Sequence, residues 1–138
     1  MMINPDLREL TALYVEDEVL IAMDGRRFLR DIGIGTVHIA PDIDSARMVL
    51  SAAECDVAIL DINLPGGAMS VAFAEELVAA GCPVVFATAM QGPERVTGHL
   101  GAPIVAKPFD GERLGRAIGA ALAQATEARG AERAGLNA

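Results

Sequence analysis

The chain has 138 residues, a formal net charge of −8 and a hydrophobic fraction of 52%, of which 25 residues are Ala. That length suits one compact domain, and with four Phe, one Tyr and no Trp the core must be built largely from small side chains. The acidic balance argues against non-specific nucleic-acid binding and against an anionic membrane surface. The longest uncharged run, Leu77 to Pro93, spans 17 residues and is broken by Gly81, Pro83, Gly92 and Pro93, so it is no membrane span. MMINPDLREL lacks the basic and apolar regions of a signal peptide, and a cytoplasmic location is expected.

In chain order, short apolar runs alternate with amphipathic stretches. Leu13–Val15 reads as a first strand, and Ile21, Gly25, Phe28, Leu29 and Ile32 form a helical stripe that ends at Gly33. Val37–Ala40 is a second strand. Asp42 can cap a second helix with Ile43, Ala46, Leu50 and Ala53 facing inward. Val57–Leu60, running into Asp61, is a third strand, followed by a stripe of Met69, Phe73, Leu77 and Ala80 that stops at Gly81. The methionines read as core filler. Val84–Ala87 and Ile104–Ala106 complete five strands, and Asp110 can cap a last helix with Leu114, Ala117, Ile118, Ala121 and Leu122 on one face. Met90 to Ala102 holds Gly92, Pro93, Gly98 and Gly101, so only a short, weak and mobile helix is expected there. Residues 1–123 form the expected domain. Gln124 to Ala138, composed largely of Ala, Glu, Arg and Gly, is expected as a frayed helical extension and a disordered tail, with no output domain.

Strands this short and apolar are buried on both faces, as in a parallel sheet. Their alternation with helices predicts an α/β fold, a (βα)5 doubly wound sandwich whose polar chemistry collects beyond the carboxyl ends of the strands. Strand one ends in Glu16-Asp17, strand three at Asp61, strand four at Thr88 and strand five at Lys107. Singly, each has an ordinary explanation: a helix cap, an Asx-turn, a strand-end hydroxyl, a surface pair before a turn. Together they deliver three carboxylates, a hydroxyl and an ammonium to one edge. Crowded carboxylates need protons or a cation, and an all-oxygen donor set suits Mg²⁺. Asp61 can then act as a nucleophile toward a phosphoryl group, giving an aspartyl-phosphate. Lys107 and Thr88 would help hold its oxygens. Lys107 is the only Lys beside ten Arg, which sets it apart as a compact point charge. Cys55 and Cys82, 27 residues apart, match no metal-ligand spacing and read as reduced thiols near strand starts. His38 and His99 have no partner at ligand spacing, so relay through a histidine of this chain is not expected.

On the acidic pair of YVED, the LDINLP segment, the Thr of FATA and the KPF motif, the chain resembles response-regulator receiver domains over about residues 10 to 122. The spacings agree: Asp61 follows Asp17 by 44 residues, Thr88 follows Asp61 by 27, and Lys107 follows Thr88 by 19. The resemblance implies a flavodoxin-like five-stranded parallel sheet of order 2-1-3-4-5 and a phosphorelay protein that is not a conventional enzyme. Asp61 is its phosphoacceptor, and Asp17 and Asp61 bind Mg²⁺ directly. Glu16 helps through water, Asn63 supplies its backbone carbonyl, and Thr88 and Lys107 sense the phosphoryl group. It implies a histidine kinase as donor and an unidentified downstream protein as recipient, or a role as a phosphate sink. LDINLPGG and PVVFATAM are also similar to the single-domain FAT GUY receivers, typically paired with HWE-type kinases, although Ala89-Met90 replaces the Gly and aromatic of that motif.

One departure concerns signal transmission. Where receivers often carry Tyr or Phe three residues before the motif Lys, this chain has Ile104, which cannot make a ring flip. The expected exit is therefore through ordering of Met90–Ala102. Ile104 also keeps open a pseudo-receiver, a constitutive interaction module that is never phosphorylated. A small phosphohydrolase would want a second Asp two residues after Asp61, where Asn63 stands.

Overall fold

The computed structural model describes residues 6–62, 67–89 and 98–133. Five strands, β1 (Thr11–Val15), β2 (Thr36–Ala40), β3 (Val57–Asp61), β4 (Val84–Thr88) and β5 (Ile104–Ala106), alternate with four helices among these residues. The helices are α1 (Val19–Ile32), α2 (Ile43–Ala52), α3 (Gly67–Ala79) and α4 (Gly111–Arg133). All pairings are parallel and the order is β2-β1-β3-β4-β5. The fold is the expected doubly wound sandwich.

Alternation along each strand divides the core between two faces. On β1, Leu13 and Val15 join Ile43 and Ala46 of α2 and Phe73, Ala74 and Leu77 of α3. Ala12 and Tyr14 join Leu29 of α1 and Leu114, Ile118 and Ala121 of α4 on the other. The central strands β3 and β4 are buried at every position, whereas the edge strands β2 and β5 are not. Gly25 of α1 is required by packing: a Cβ there would lie 2.0 Å from Cε2 of Tyr14.

Local signals fix the ends of the helices. Gly33 adopts φ 118° after α1, where a Cβ would be strained. Asp42 accepts from the Ser45 N–H at 2.7 Å to cap α2, and Asp110 accepts from the Arg113 N–H at 2.8 Å to cap α4. Two expectations need correction. Met69 and Ala80 do not face inward; α3 is apolar nearly all round, so periodicity leaves its phase open, and it buries Val71, Phe73, Ala74 and Leu77. Nor are the methionines among the described residues core filler, since Met23, Met48 and Met69 are 62%, 72% and 58% exposed. Their flexible chains lie outside a core filled by Ala, Val, Leu and Ile together with Tyr14, Phe73 and Phe86. Residues 90–97 of the Met90–Ala102 segment lie outside the described residues; Gly98–Leu100 forms a short 3-10 turn. α4 continues to Arg133, well into the stretch read as an extension and tail, in keeping with the helix propensity of Ala, Glu, Gln and Arg. No helix among the described residues is long and apolar enough to cross a membrane.

Candidate functional site

Sheet register assembles the site. Val15 lies beside Leu60, so Glu16 leaves β1 next to Asp61, the last residue of β3. Thr88 lies beside Ala106, so Lys107 emerges one residue beyond β5 at the same edge. The exits are held by backbone bonds: the Glu16 N–H donates to Ala40 O at 3.0 Å, Ile62 to Ala87 O at 3.0 Å and Lys107 to Thr88 O at 2.8 Å.

At this edge the Lys107 Nζ donates to Asp61 Oδ2 at 2.9 Å and to Glu16 Oε1. The Glu16 side chain is wholly out of water, Asp61 is 3% exposed and Lys107 13%. Thr88 is buried beside them, while Asp17 is exposed. The acidic pair does not serve to cap α1. Glu18 stands at that cap with no side-chain bond, and its N–H donates to Glu16 Oε2 at 3.3 Å. The ordinary explanation for Glu16-Asp17 is thus removed, and their carboxylates belong to the edge.

Electrostatics follow from crowding in a dry place. Burial pushes the Glu16 carboxyl up to about 7; Lys107 pulls it back and the adjacent Asp61 raises it further. Burial alone would lower Lys107, but hydrogen bonds and charge from Asp61 and Glu16 outweigh it and hold the ammonium above its ordinary range. Glu16, Asp17 and Asp61 each present a carboxylate oxygen, all within 4.8 Å of one another. With all three ionised against one ammonium, −3 + 1 leaves −2, a charge that one divalent cation would neutralise. These hard oxygen donors fit Mg²⁺. The site opens into a cleft of about 480 Å³ lined by Asp17, Asp61 and Lys107, with Ala89, Pro108 and Phe109 on one side and Ile21, Gly25 and Phe28 of α1 on the other.

Of the six residues singled out in the sequence, the structure brings Glu16, Asp17, Asp61, Thr88 and Lys107 to one edge; Asn63 lies outside the described residues. Tyr14 is a participant that the sequence reading missed. Its buried hydroxyl donates to Glu16 Oε1 at 3.5 Å, and burial, with the Glu16 and Asp61 charges behind it, drives the phenol above its ordinary range. The signal was available, because Tyr14 and Glu16 stand two apart at a strand end and so share a face.

Residues 12–119 match the family model of the response regulator receiver domain, and the chain belongs to that family. Among solved structures it is similar to a response regulator receiver protein from Burkholderia phymatum, at 28% identity over 83% of this chain and 96% of that chain, with a TM-score of 0.72. It is also similar to the chemotaxis response regulator CheY4 of Vibrio cholerae (26% identity, 82% and 98% covered, TM-score 0.69). A third likeness is to the receiver domain of the PhyR response regulator of Erythrobacter litoralis (28%, 82% and 89%, TM-score 0.69). No curated protein matches the chain. The family places the chain in two-component signalling, as a signalling domain and not a classical enzyme.

Proposed function

We propose that this receiver accepts a phosphoryl group on Asp61 from the phosphohistidine of a histidine kinase, and passes the state on by protein contact or drains it as a sink. The observation that supports this most is the Lys107 ammonium bonded to both Glu16 and Asp61 at the carboxyl edge. Glu16, Asp17 and Asp61 would hold Mg²⁺, which supplies charge neutralisation for the incoming phosphoryl oxygens. The rest is the chain's own chemistry. A carboxylate oxygen of Asp61 attacks phosphorus, the N–P bond of the donor breaks, and its electron pair returns to the imidazole. Lys107, already within reach of Asp61 Oδ2, shifts its donors to the phosphoryl oxygens, and the Thr88 hydroxyl donates to another. Glu16 keeps the ammonium at the edge, and Tyr14 keeps Glu16 there. The FATA segment makes an HWE-type kinase the first donor to try.

Intact mass after incubation with a small acyl-phosphate donor tests this directly. One Mg²⁺-dependent phosphoryl adduct is expected, absent from Asp61→Asn. No adduct, together with no beryllofluoride binding in the presence of Mg²⁺, would instead favour a constitutive interaction module.

A further inference from the structure

At the amino edge of the sheet, away from Asp61, the fold brings together two side chains that sequence spacing kept apart. Cys55 and Cys82 each stand two residues before a strand, and β3 and β4 are paired neighbours from Ala58↔Val84 onward. The Ala58 N–H donates to Pro83 O at 2.9 Å, which draws the two entry segments together. The end of α3 fixes the second thiol. Gly81 takes φ 85° and donates to Val78 O at 3.0 Å, while the Cys82 N–H donates to Leu77 O at 2.9 Å, a Schellman pattern.

The result is a close dithiol. Cys82 Sγ donates to Cys55 Sγ at 3.4 Å, and Cys55 Sγ donates to Val57 O at 3.2 Å. Both residues are free cysteines and half-buried, and Cys82 lines a cleft of about 310 Å³ between the end of α3 and α4. A disulfide needs the sulfurs about 2.05 Å apart, so closure asks for a little over an ångström of side-chain movement and no change of strand pairing. A closed metal site is a poorer reading. Among the described residues the one group of three or more metal-ligating side chains is the acidic one at the other edge.

We propose that Cys55 and Cys82 form a redox-active dithiol that closes to an intramolecular disulfide on meeting a peroxide or a low-molecular-weight disulfide. The two sulfurs have different parts. The hydrogen bond from Cys82 lowers the Cys55 thiol below its ordinary range, and the same bond, with burial, raises Cys82. Cys55, which accepts the hydrogen bond, is assigned as the attacking thiol, and Cys82, which donates it, as the resolving thiol. With hydrogen peroxide, Cys55 attacks one oxygen, the O–O bond breaks, and hydroxide leaves to become water, giving a sulfenic acid on Cys55. Cys82 then attacks that sulfur, the S–O bond breaks and a second water departs. The two thiols lose two protons and two electrons, and the peroxide is reduced to two waters. The product ties the entries of β3 and β4, the strands whose far ends carry Asp61 and Thr88.

The test uses the full chain, reduced and then exposed in its folded state to stoichiometric hydrogen peroxide or to oxidised glutathione, followed by alkylation and non-reducing peptide mapping. The expected result is loss of two hydrogens from the intact mass, a Cys55–Cys82 cross-linked peptide, a monomer, and recovery of both thiols with a dithiol reductant. Cys82→Ser is expected to stop at a Cys55 sulfenic acid, trapped by a 1,3-dione, or at a mixed disulfide with glutathione. Two thiols that still alkylate fully after oxidant, or a cross-link that forms only between chains or only in urea, would overturn the proposal. Trapping on Cys82 in Cys55→Ser at the rate seen for Cys55 would overturn the division of parts.

Discussion

Replacing Glu16 by Gln removes a carboxyl that the fold holds out of water between Lys107 and Asp61, and the consequence is legible in pH. In the folded chain Glu16 is pushed up to about 7, against an ordinary 4.5. The folded state therefore keeps a proton that the unfolded chain has already lost. The stability this contributes is fully present below pH 4.5 and is lost as pH rises through about 7. At about 1.4 kcal/mol per pH unit, the loss is at most about 3 kcal/mol. Metal-free wild-type protein should accordingly weaken relative to Glu16→Gln by up to that amount between pH 4.5 and 8, while groups common to both chains cancel. Urea unfolding followed by far-ultraviolet circular dichroism in the presence of chelator measures it, since the chain has no Trp. Saturating Mg²⁺ should reverse the wild-type trend, because the metal selects the ionised carboxylates. If the two chains run parallel in stability from pH 4.5 to 8 without metal, the account of Glu16 as a buried, proton-holding carboxyl is wrong.

Three further outcomes follow from the same geometry. Gly25→Ala gains about 1 kcal/mol of helix propensity, but its Cβ meets the buried Tyr14 ring at 2.0 Å. Overpacking of that kind costs about 1–3 kcal/mol, so a net drop in the urea midpoint is expected, with recovery in the double variant carrying Tyr14→Leu; an unchanged midpoint in the single variant counts against the close fit. Asp17→Asn removes one of three crowded carboxylates, and at a water-like dielectric and the spacing seen, each of its two repulsions is worth about 1 kcal/mol. Thermal melts in chelator should show their relief as a gain, and calorimetric titration should show weaker Mg²⁺ binding; stronger binding would refute the assigned donor set. Lys107→Met leaves Glu16 and Asp61 without their shared ammonium. A loss of about 3 kcal/mol is expected at pH 8 in chelator, partly restored by Mg²⁺, and equal loss with and without Mg²⁺ would contradict the electrostatic reading.

The site was readable in the sequence because a parallel sheet sends every strand's carboxyl end to one edge. Once five apolar runs were recognised, Glu16, Asp17, Asp61, Thr88 and Lys107 had little choice of place. The Gly33, Asp42 and Asp110 caps were legible for a similar reason, since each acts within a few residues of itself. What escaped depends on contacts that spacing does not encode. The phase of α3 needed the sheet to choose among apolar faces, which is why Met69 and Ala80 were assigned inward. The fit of Gly25 to Tyr14 joins a helix to a strand across the core. Cys55 and Cys82 meet only because β3 and β4 are neighbours and Gly81 turns the chain between α3 and β4.

The length of α4 also has a practical meaning. Its 23 residues span about 35 Å at 1.5 Å per residue, whereas a strand of five residues such as β4 covers about 17 Å. The helix begins near the edge that carries Lys107 and runs back along the sheet, so its far end overshoots the opposite edge. A fluorophore, spin label or surface tether joined beyond Arg133 would stand on a stalk, away from Asp61 and its cleft. The proposed kinase docking and phosphoryl uptake could then be tested with an attached reporter that does not crowd the carboxyl edge.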